Sequence, residues 1–600
     1  MLLRRHGAID RNLLIPKDLA ATTANDSVMP SESSMTAPSA AGNVAASKQS
    51  SAGLAGWLLP SLSDWAFAAV LCWLFWGQSG AVALLGDGDA GWHIRLGEMF
   101  LANGHLPTTD PFSFTMAGKV WFAWEWLADV ILGAAHQLDG LEGVVLLAGA
   151  VIALTASMLV RYMLWLRVNV VVAILSMLLI CSVSSVHWLA RPHMFTWGFL
   201  IATLWLLEAD RRKQSWKVWL LIPMGALWTN LHGGWVALIV TTGIFAAGTG
   251  LEDVWRQVQK EGWKFYIPSS AKRYLLVCGL CLAATSINPY GLELHSHVGS
   301  YLQSDFILDH VQEFQSPRFR TESMRVLEVM IFASFFVAGF MVRRGEFVRP
   351  LLMAAWAHAC LTSVRHAPLF AIVALPYIAM ELTRLIQVAS KSGWSLAQVL
   401  EDLGKDYGAE GGRVSEQGPA LGWLPIAGVV FVAMTLNARS GEERWNAAFP
   451  EVRFPTVAVE ALGERLSGQR VLTSDQWGDY LIYRLFPNYL TFIDGRSDFY
   501  APEIRDDYMS ILVSDWKTEE VLRKYDFQAA LVPLDWALTT ALKQSPEWQV
   551  VYDDGFAVYL EKRAAPVSAQ TTVRQGFEVS PGSSKDGVLR PGGILLGSLK

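Results

Sequence analysis

Long uncharged apolar runs recur along most of this chain, near residues 66–86, 143–160, 168–190, 192–207, 274–292 and 421–438. A bilayer core about 30 Å thick asks for about 20 apolar residues of helix, so each run reads as a membrane span. The run 218–251 is long enough for two spans, broken at Asn230-Leu231-His232-Gly233-Gly234, whose polar and glycine content suits a turn. Shorter runs at 329–342, 350–364 and 366–380 bring the expected number to eleven, with one either way open. Beyond about residue 439 the pattern changes. Strand-like runs at Arg470–Thr473, Tyr489–Ile493, Ala529–Val532, Gln549–Tyr552 and Phe556–Leu560 are interleaved with helical stretches Thr518–Tyr525 and Trp536–Lys543. That predicts a small sheet covered by helices. The expected fold class is a polytopic α-helical membrane protein, 56–438, with a long first outer loop at 86–141 and a C-terminal α/β domain at 439–563.

Residues 1–55 are rich in Ser, Ala, Thr and Asn, and 564–600 in Gly, Ser, Pro and Lys, so both ends read as disordered tails. No apolar core follows directly on Arg4, Arg5, Arg11 and Lys17, so the first apolar run is expected to remain as an anchor rather than to be cleaved. Composition agrees with a bilayer environment: 52% of residues are hydrophobic and only 17% charged, where a soluble protein carries about a quarter charged. Several of the 26 tryptophans (Trp57, Trp188, Trp228, Trp235, Trp423) stand near the ends of apolar runs, where amphipathic rings favour the headgroups. All five cysteines lie inside apolar segments, which argues against a disulfide framework or a zinc site. The net charge of −6 points to no nucleic-acid partner.

Lysine and arginine in short loops stay preferentially in the cytoplasm. With the N-terminus placed there, the segments 161–169, 208–217, 251–273, 343–349 and 384–420 hold 18 Lys+Arg in 86 residues. The opposite segments 86–141, 186–193, 230–234, 289–325 and 364–366 hold 7 in 109, so the bias is consistent and an odd number of spans puts the C-terminal domain outside.

The polar residues of the spans' outer ends form the candidate site. Asp87 and Asp89 stand at the end of the first run, followed by Trp92 and His93; a partly desolvated carboxylate there can act as general base, although Gly-Asp-Gly-Asp is also good turn chemistry. Arg191-Pro192-His193, Asn230 to Gly234, Asn288-Pro289-Tyr290-Gly291 and Arg365-His366 fall on the same face. Each has a plain structural reading, as headgroup snorkel, helix end or packed histidine. Five clusters on one leaflet are better explained by a shared polar pocket, because ionisable groups beside spans are costly. Arginines and histidines near aspartate suit a phosphate substrate and a base.

With Thr109-Asp110-Pro111-Phe112-Ser113, Trp124-Glu125-Trp126-Leu127, Asn230-Leu231-His232-Gly233, Glu313-Phe314-Gln315-Ser316-Pro317, Trp477-Gly478-Asp479-Tyr480 and Asp494-Gly495-Arg496, these residues resemble the GT-C glycosyltransferase superfamily, in particular its bacterial multi-span members. The resemblance implies transfer of a sugar from a polyprenyl-phosphate donor to a glycan, lipid or protein acceptor outside the bacterial cytoplasmic membrane. It implies a catalytic carboxylate at Asp89, with Asp87 as the alternative. His93, Asp110, Glu125, Arg191, His193, Asn230, His232, Arg365 and His366 would hold substrate, and Glu125 begins a helix along the membrane surface. Some members use a divalent metal; no residue set here demands one, and no cofactor is expected. Asp494-Gly495-Arg496-Ser497-Asp498 reads as a turn that can reach acceptor. The competing functions are a transporter or flippase of lipid-linked sugars and an inactive glycan- or lipid-binding protein. Transporters usually carry polar groups at the midplane and repeated halves; here they lie at one edge and no repeat is found.

Overall fold

The structure is a computed structural model describing residues 60–77, 80–262, 268–407, 422–438 and 446–563. Both tails of the sequence reading lie outside the described residues. Every apolar run falls on helix: Leu62–Trp76 (α1), the second half of Trp126–Trp165, Val170–Ser184, His193–Arg212, Leu221–Leu231 with Val236–Glu261, Ser269–Ala284, Glu322–Arg343, Val348–Thr362, Ala367–Lys391 and Trp423–Ala438. Among the described residues, five helices are long and apolar enough to cross a membrane: Trp126–Trp165, Val170–His187, Gly233–Lys260, Glu322–Arg343 and Val364–Lys391. This is a helical membrane protein.

Local chemistry sets the helix ends. Ser61 caps α1 in a reciprocal box with Asp64: Asp64 N–H donates to Ser61 Oγ at 3.2 Å and Ser61 N–H to Asp64 Oδ2 at 2.8 Å. The first run is shorter than its hydropathy suggests, because α1 stops at Trp76 and a 3-10 turn, Ala81–Leu85, carries the chain to Asp87. The loop 86–141 is largely helical, with Ala90–Asn103 (α2) followed by the start of Trp126–Trp165 (α3). Gly140, at φ +59°, breaks α3 into a first stretch beside α2 and a long apolar stretch. Between α2 and α3 the backbones touch at Gly97 and Gly133, where a methyl on Gly133 would meet the Gly97 carbonyl carbon at 2.6 Å. Helices Val170–Ser184 (α4), His193–Arg212 (α5), Leu221–Leu231 (α6) and Val236–Glu261 (α7) continue the bundle.

The C-terminal segment carries a four-stranded sheet in the order β1 (Val471–Leu472), β2 (Ala529–Pro533), β4 (Ala557–Lys562), β3 (Trp548–Asp553). Only the β1–β2 pair is parallel, and its register sets Val471 opposite Ala529. The expected strand at Tyr489–Ile493 does not join this sheet. Its backbone is taken by the first loop instead: Phe114 N–H donates to Thr491 O at 3.0 Å and Thr491 N–H to Phe112 O at 2.9 Å. Trp92, Leu96, Phe112, Trp121 and Ala123 form a small core with Ile482, so the first loop is clamped between bundle and sheet. Ile482 belongs to the helix Asp475–Leu485, whose Ser474 cap accepts from Trp477 N–H at 3.1 Å.

Candidate active site

Five chain breaks meet at one rim of the bundle: the start of α2, the start of α3, the start of α5, the α6–α7 break and the turn Val364–His366. They enclose a cavity of about 390 Å³. Asp89, His93, Glu125, Arg191, His193, His232, Arg365 and His366 all line it, which brings together eight of the eleven residues read from the sequence.

Arg191 is its centre of charge. Its guanidinium reaches Asp89 Oδ2 at 2.5 Å, Asp87 Oδ2 at 3.0 Å and Glu313 Oε1 at 2.9 Å. Asp87 is held behind the wall, where its Oδ1 accepts from Asp89 N–H at 3.0 Å and fixes the turn into α2. Asp89 is buried, and its Oδ1 has no hydrogen-bond partner among the described residues. Burial pushes the Asp89 carboxyl up to about 7, Arg191 opposing and Asp87 and Glu313 adding to the shift. Burial also works to raise Glu313, but Arg191 and Arg365 outweigh it and hold that carboxyl below its ordinary range.

A second group forms the floor. His93 Nδ1 is 2.5 Å from Asp129 Oδ1, and His93 Nε2 is 3.8 Å from Glu125 Oε2. His232 Nδ1 accepts from Gly234 N–H at 2.9 Å and from the Thr196 hydroxyl at 2.7 Å. That leaves its proton on Nε2, which points at Glu125 Oε1 at 3.5 Å. Thr196 Oγ1 in turn accepts from Trp228 Nε1–H at 3.0 Å, so the histidine's tautomer is set by a chain of buried donors. Gly233 and Gly234 are required by close packing, since a methyl on Gly233 would stand 2.5 Å from Trp124. Burial pushes Glu125 up to about 7 and, with Arg191, pushes His93 well below its usual range. Arg365 donates to Tyr301 OH at 3.1 Å and lies 4.5 Å over the Phe314 ring.

Two expected substrate-binding residues are elsewhere. Asn230 is a strut: Trp126 Nε1–H donates to its Oδ1 at 2.8 Å, and its amide donates to Ala226 O at 2.7 Å and Ile287 O at 2.8 Å. Asp110 is buried against Arg496 Nη1 at 2.8 Å and Ser113 N–H at 3.0 Å, where it ties the first loop to the C-terminal domain. The reading also missed cavity residues. Asp129 stands one helical turn after Glu125 on α3, a spacing that would have revealed it. Glu313 stands in the Glu313-Phe314-Gln315-Ser316-Pro317 stretch of the resemblance but was given no role; His187 and Tyr301 carried no local signal. Gly495, Arg496 and Asp498 of the C-terminal domain also face the cavity. Among the described residues no group of three or more His, Cys, Asp or Glu is arranged to hold a metal ion.

Fold and site define a class: a helical membrane protein with an arginine-bridged carboxylate cluster buried where its helices meet the segment that carries the C-terminal sheet. No protein-family model matches the chain, and no curated protein matches it. Solved structures do. The chain is similar to the Archaeoglobus fulgidus oligosaccharyltransferase in its apo form, at 12% identity over 79% of this chain and 69% of that one, TM-score 0.47. It is similar to the same organism's oligosaccharyltransferase AglB in complex with an inhibitory peptide and a dolichol-phosphate, at 11% identity over 84% and 75%, TM-score 0.47. It is also similar to ArnT from Cupriavidus metallidurans bound to undecaprenyl phosphate, at 14% identity over 85% and 99%, TM-score 0.45. Likeness at this level carries no weight for chemistry, which the cavity's own residues must decide.

Proposed function

We propose that this protein is a GT-C-type membrane glycosyltransferase that moves a sugar from a polyprenyl-phosphate donor to a glycan, lipid or protein acceptor, with Asp89 as general base. The observation that carries the reading is the state of Asp89: a buried carboxylate held by Arg191 in the wall of a cavity that also holds Arg365. An acceptor hydroxyl placed against Asp89 is deprotonated as it attacks. The new bond forms between acceptor oxygen and anomeric carbon, which passes through an oxocarbenium-like state. The bond to the lipid phosphate breaks, its electron pair leaves with the phosphate oxygen, and the acceptor proton passes to Asp89. Arg191 and Arg365 are the cations available to the departing phosphate, and their fixed positions stabilise charge without reorganisation. The AglB and ArnT structures to which the chain is similar hold a dolichol-phosphate and undecaprenyl phosphate.

We place the cavity and the C-terminal segment outside the membrane, with the N-terminus inside, on the strength of the Lys+Arg bias; the eleven spans rest on the apolar runs and the bacterial cytoplasmic membrane on the resemblance. The experiment is Asp89→Asn in cells lacking the chromosomal gene, with envelope glycans and glycoproteins read by mass spectrometry. The wild-type gene restores the missing product and Asp89→Asn does not. Restoration by Asp89→Asn removes Asp89 from the mechanism, and an unchanged glycan profile on deletion favours a transporter or binding protein.

A further inference from the structure

The general-base reading leaves the Trp477-Gly478-Asp479-Tyr480 segment of the C-terminal domain without a task. Asp479 lies in Asp475–Leu485 and is fully buried. Its Oδ1 accepts from Gly495 N–H at 3.0 Å. Its Oδ2 has no partner among the described residues, and neither has Asp89 Oδ1. Both oxygens point at the same spot: a methyl on Gly495 would collide with Asp89 Oδ1 and stand 2.8 Å from Asp479 Oδ2. Two more glycines permit the approach. A methyl on Gly88 would stand 2.9 Å from Asp479 Cβ, and one on Gly91 2.5 Å from Asp479 O. The two carboxyl groups are within hydrogen-bond reach of each other. Two ionised carboxylates repel at such range, and among the described residues no other donor reaches either facing oxygen, so a proton carried by one of them would satisfy both.

We propose that Asp479 is a positioning residue that holds this shared proton, donating it to Asp89 so that the base stays ionised and fixed at the cavity wall. The proposal rests on the reading of Asp89 as general base. Asp479 does not line the cavity and acts only through Asp89. The groups facing the pair are Arg191, Asp87 and Glu313 on the Asp89 side and Asp475 and Asp494 on the Asp479 side. Arg191 stands on Asp89, whereas no basic side chain among the described residues pairs with Asp479, which is buried beside Asp89 and Asp494; Asp479 is therefore the acid that keeps its proton when Asp89 has released its own. During transfer the acceptor proton goes to Asp89 while Asp479 retains the one it started with, and no further co-reactant is required. The C-terminal domain then completes the active site.

The test uses the full-length protein in detergent and dicyclohexylcarbodiimide, a probe that adds to protonated carboxyl groups, with peptide mass spectrometry across a pH series. In the wild type, Asp479 is labelled at pH values where Asp89 labelling has already ceased. Asp479→Asn keeps a donor for Asp89 and leaves the midpoint of Asp89 labelling within about half a pH unit of wild type; Asp479→Ala removes it and raises that midpoint by about one unit. In the cell assay Asp479→Asn makes product and Asp479→Ala loses it at least about tenfold, the size one lost donor commands. The wild-type labelling order needs no variant, so a misfolded alanine protein does not block the test. Equal midpoints in all three proteins, or Asp89 labelled beyond the pH at which Asp479 ceases to be, overturns the proposal. Normal product from Asp479→Ala alongside none from Asp89→Asn overturns it too and spares the general base, whereas normal product from Asp89→Asn overturns the general-base reading itself.

Discussion

Arg496→Met tests the joint between the first loop and the C-terminal domain. The Arg496 guanidinium is buried, with Nη1 on Asp110 at 2.8 Å and Nε and Nη2 on Asp494 at 2.8 and 2.7 Å, over the Trp121 ring at 4.6 Å. Methionine keeps the apolar bulk and removes the charge, which leaves two buried carboxylates without their cation. Breaking a buried pair in this way costs about 3–5 kcal/mol. The low end applies, because Asp110 keeps Phe112 N–H at 3.1 Å and Ser113 N–H at 3.0 Å, and Asp494 keeps Tyr500 OH at 2.8 Å. About 3 kcal/mol in a domain of this size lowers Tm by roughly 10 °C. Tryptophan-fluorescence melting of the detergent-solubilised protein, with limited trypsin digestion beside it, reads the effect. Adding Asp110→Asn and Asp494→Asn to Arg496→Met should recover part of the loss by removing the stranded charges. A Tm within about 2 °C of wild type, or a triple variant no better than the single one, would refute the claim that this joint depends on a charge-matched pair.

Further outcomes follow from the cavity. Glu125 is raised to about 7, so the folded protein binds a proton that the unfolded chain has already released; its contribution is full below the ordinary carboxylate value and is lost as pH rises through about 7. Glu125→Gln should flatten the fall in Tm between about pH 5 and 8 by an amount of order 3 kcal/mol, and an unchanged slope contradicts the assignment. Gly495→Ala should abolish product while the protein stays folded and monodisperse by size-exclusion chromatography, since any side chain there displaces Asp89 Oδ1; wild-type product would mean that the two acids are not in contact. Arg191→Lys keeps the charge but not the fork that reaches Asp87, Asp89 and Glu313 together, and should cost at least about tenfold in product. Full activity in that variant would reduce Arg191 to a counter-ion.

The parts visible in the sequence are those that local pattern dictates. Apolar runs land on helices because burial in an apolar surround is written into each run residue by residue. The break at His232-Gly233-Gly234 is visible for the same reason, since glycine content and polarity are local properties. What was not visible depends on distant partners. Asp110 and Asp89 are both loop aspartates beside Phe or Trp in the sequence, yet one faces a cavity and the other is paired with Arg496. Asn230 looked like a ligand and is a strut, because its partners Trp126, on α3, and Ile287, past the end of the helix Ser269–Ala284, lie far away in the chain. Tyr489–Ile493 has every strand property but finds its backbone partner in the first loop rather than in the sheet. Asp479 stands in the Trp477-Gly478-Asp479-Tyr480 segment that the resemblance marks, but no role could be read for it there, because its significance lies in meeting Asp89.

The two rims of the bundle use the same residue types and treat them differently. About fifteen residues along α5 from His193, some 22 Å at helical rise, Glu208 is gripped by Arg349 at 2.9 and 3.0 Å through both oxygens. Both oxygens of Asp210 are bound by Arg273 at 2.9 Å, and both of Glu252 by Arg211 at 2.7 Å. Every one of these carboxylates is saturated, as a clamp between helices requires. At the cavity rim Asp129 Oδ2 has no hydrogen-bond partner among the described residues, and Asp89 Oδ1 and Asp479 Oδ2 have none but each other. Leaving such an oxygen unsatisfied costs about 1–3 kcal/mol, so a fold with no use for them would be more stable with neutral side chains there. Neutralising Glu208 should therefore destabilise the protein, while Asp129→Asn should leave it as stable or more so. A bundle that saturates its carboxylates at one end and leaves them short of partners at the other keeps the second end for a proton and a ligand that arrive from outside.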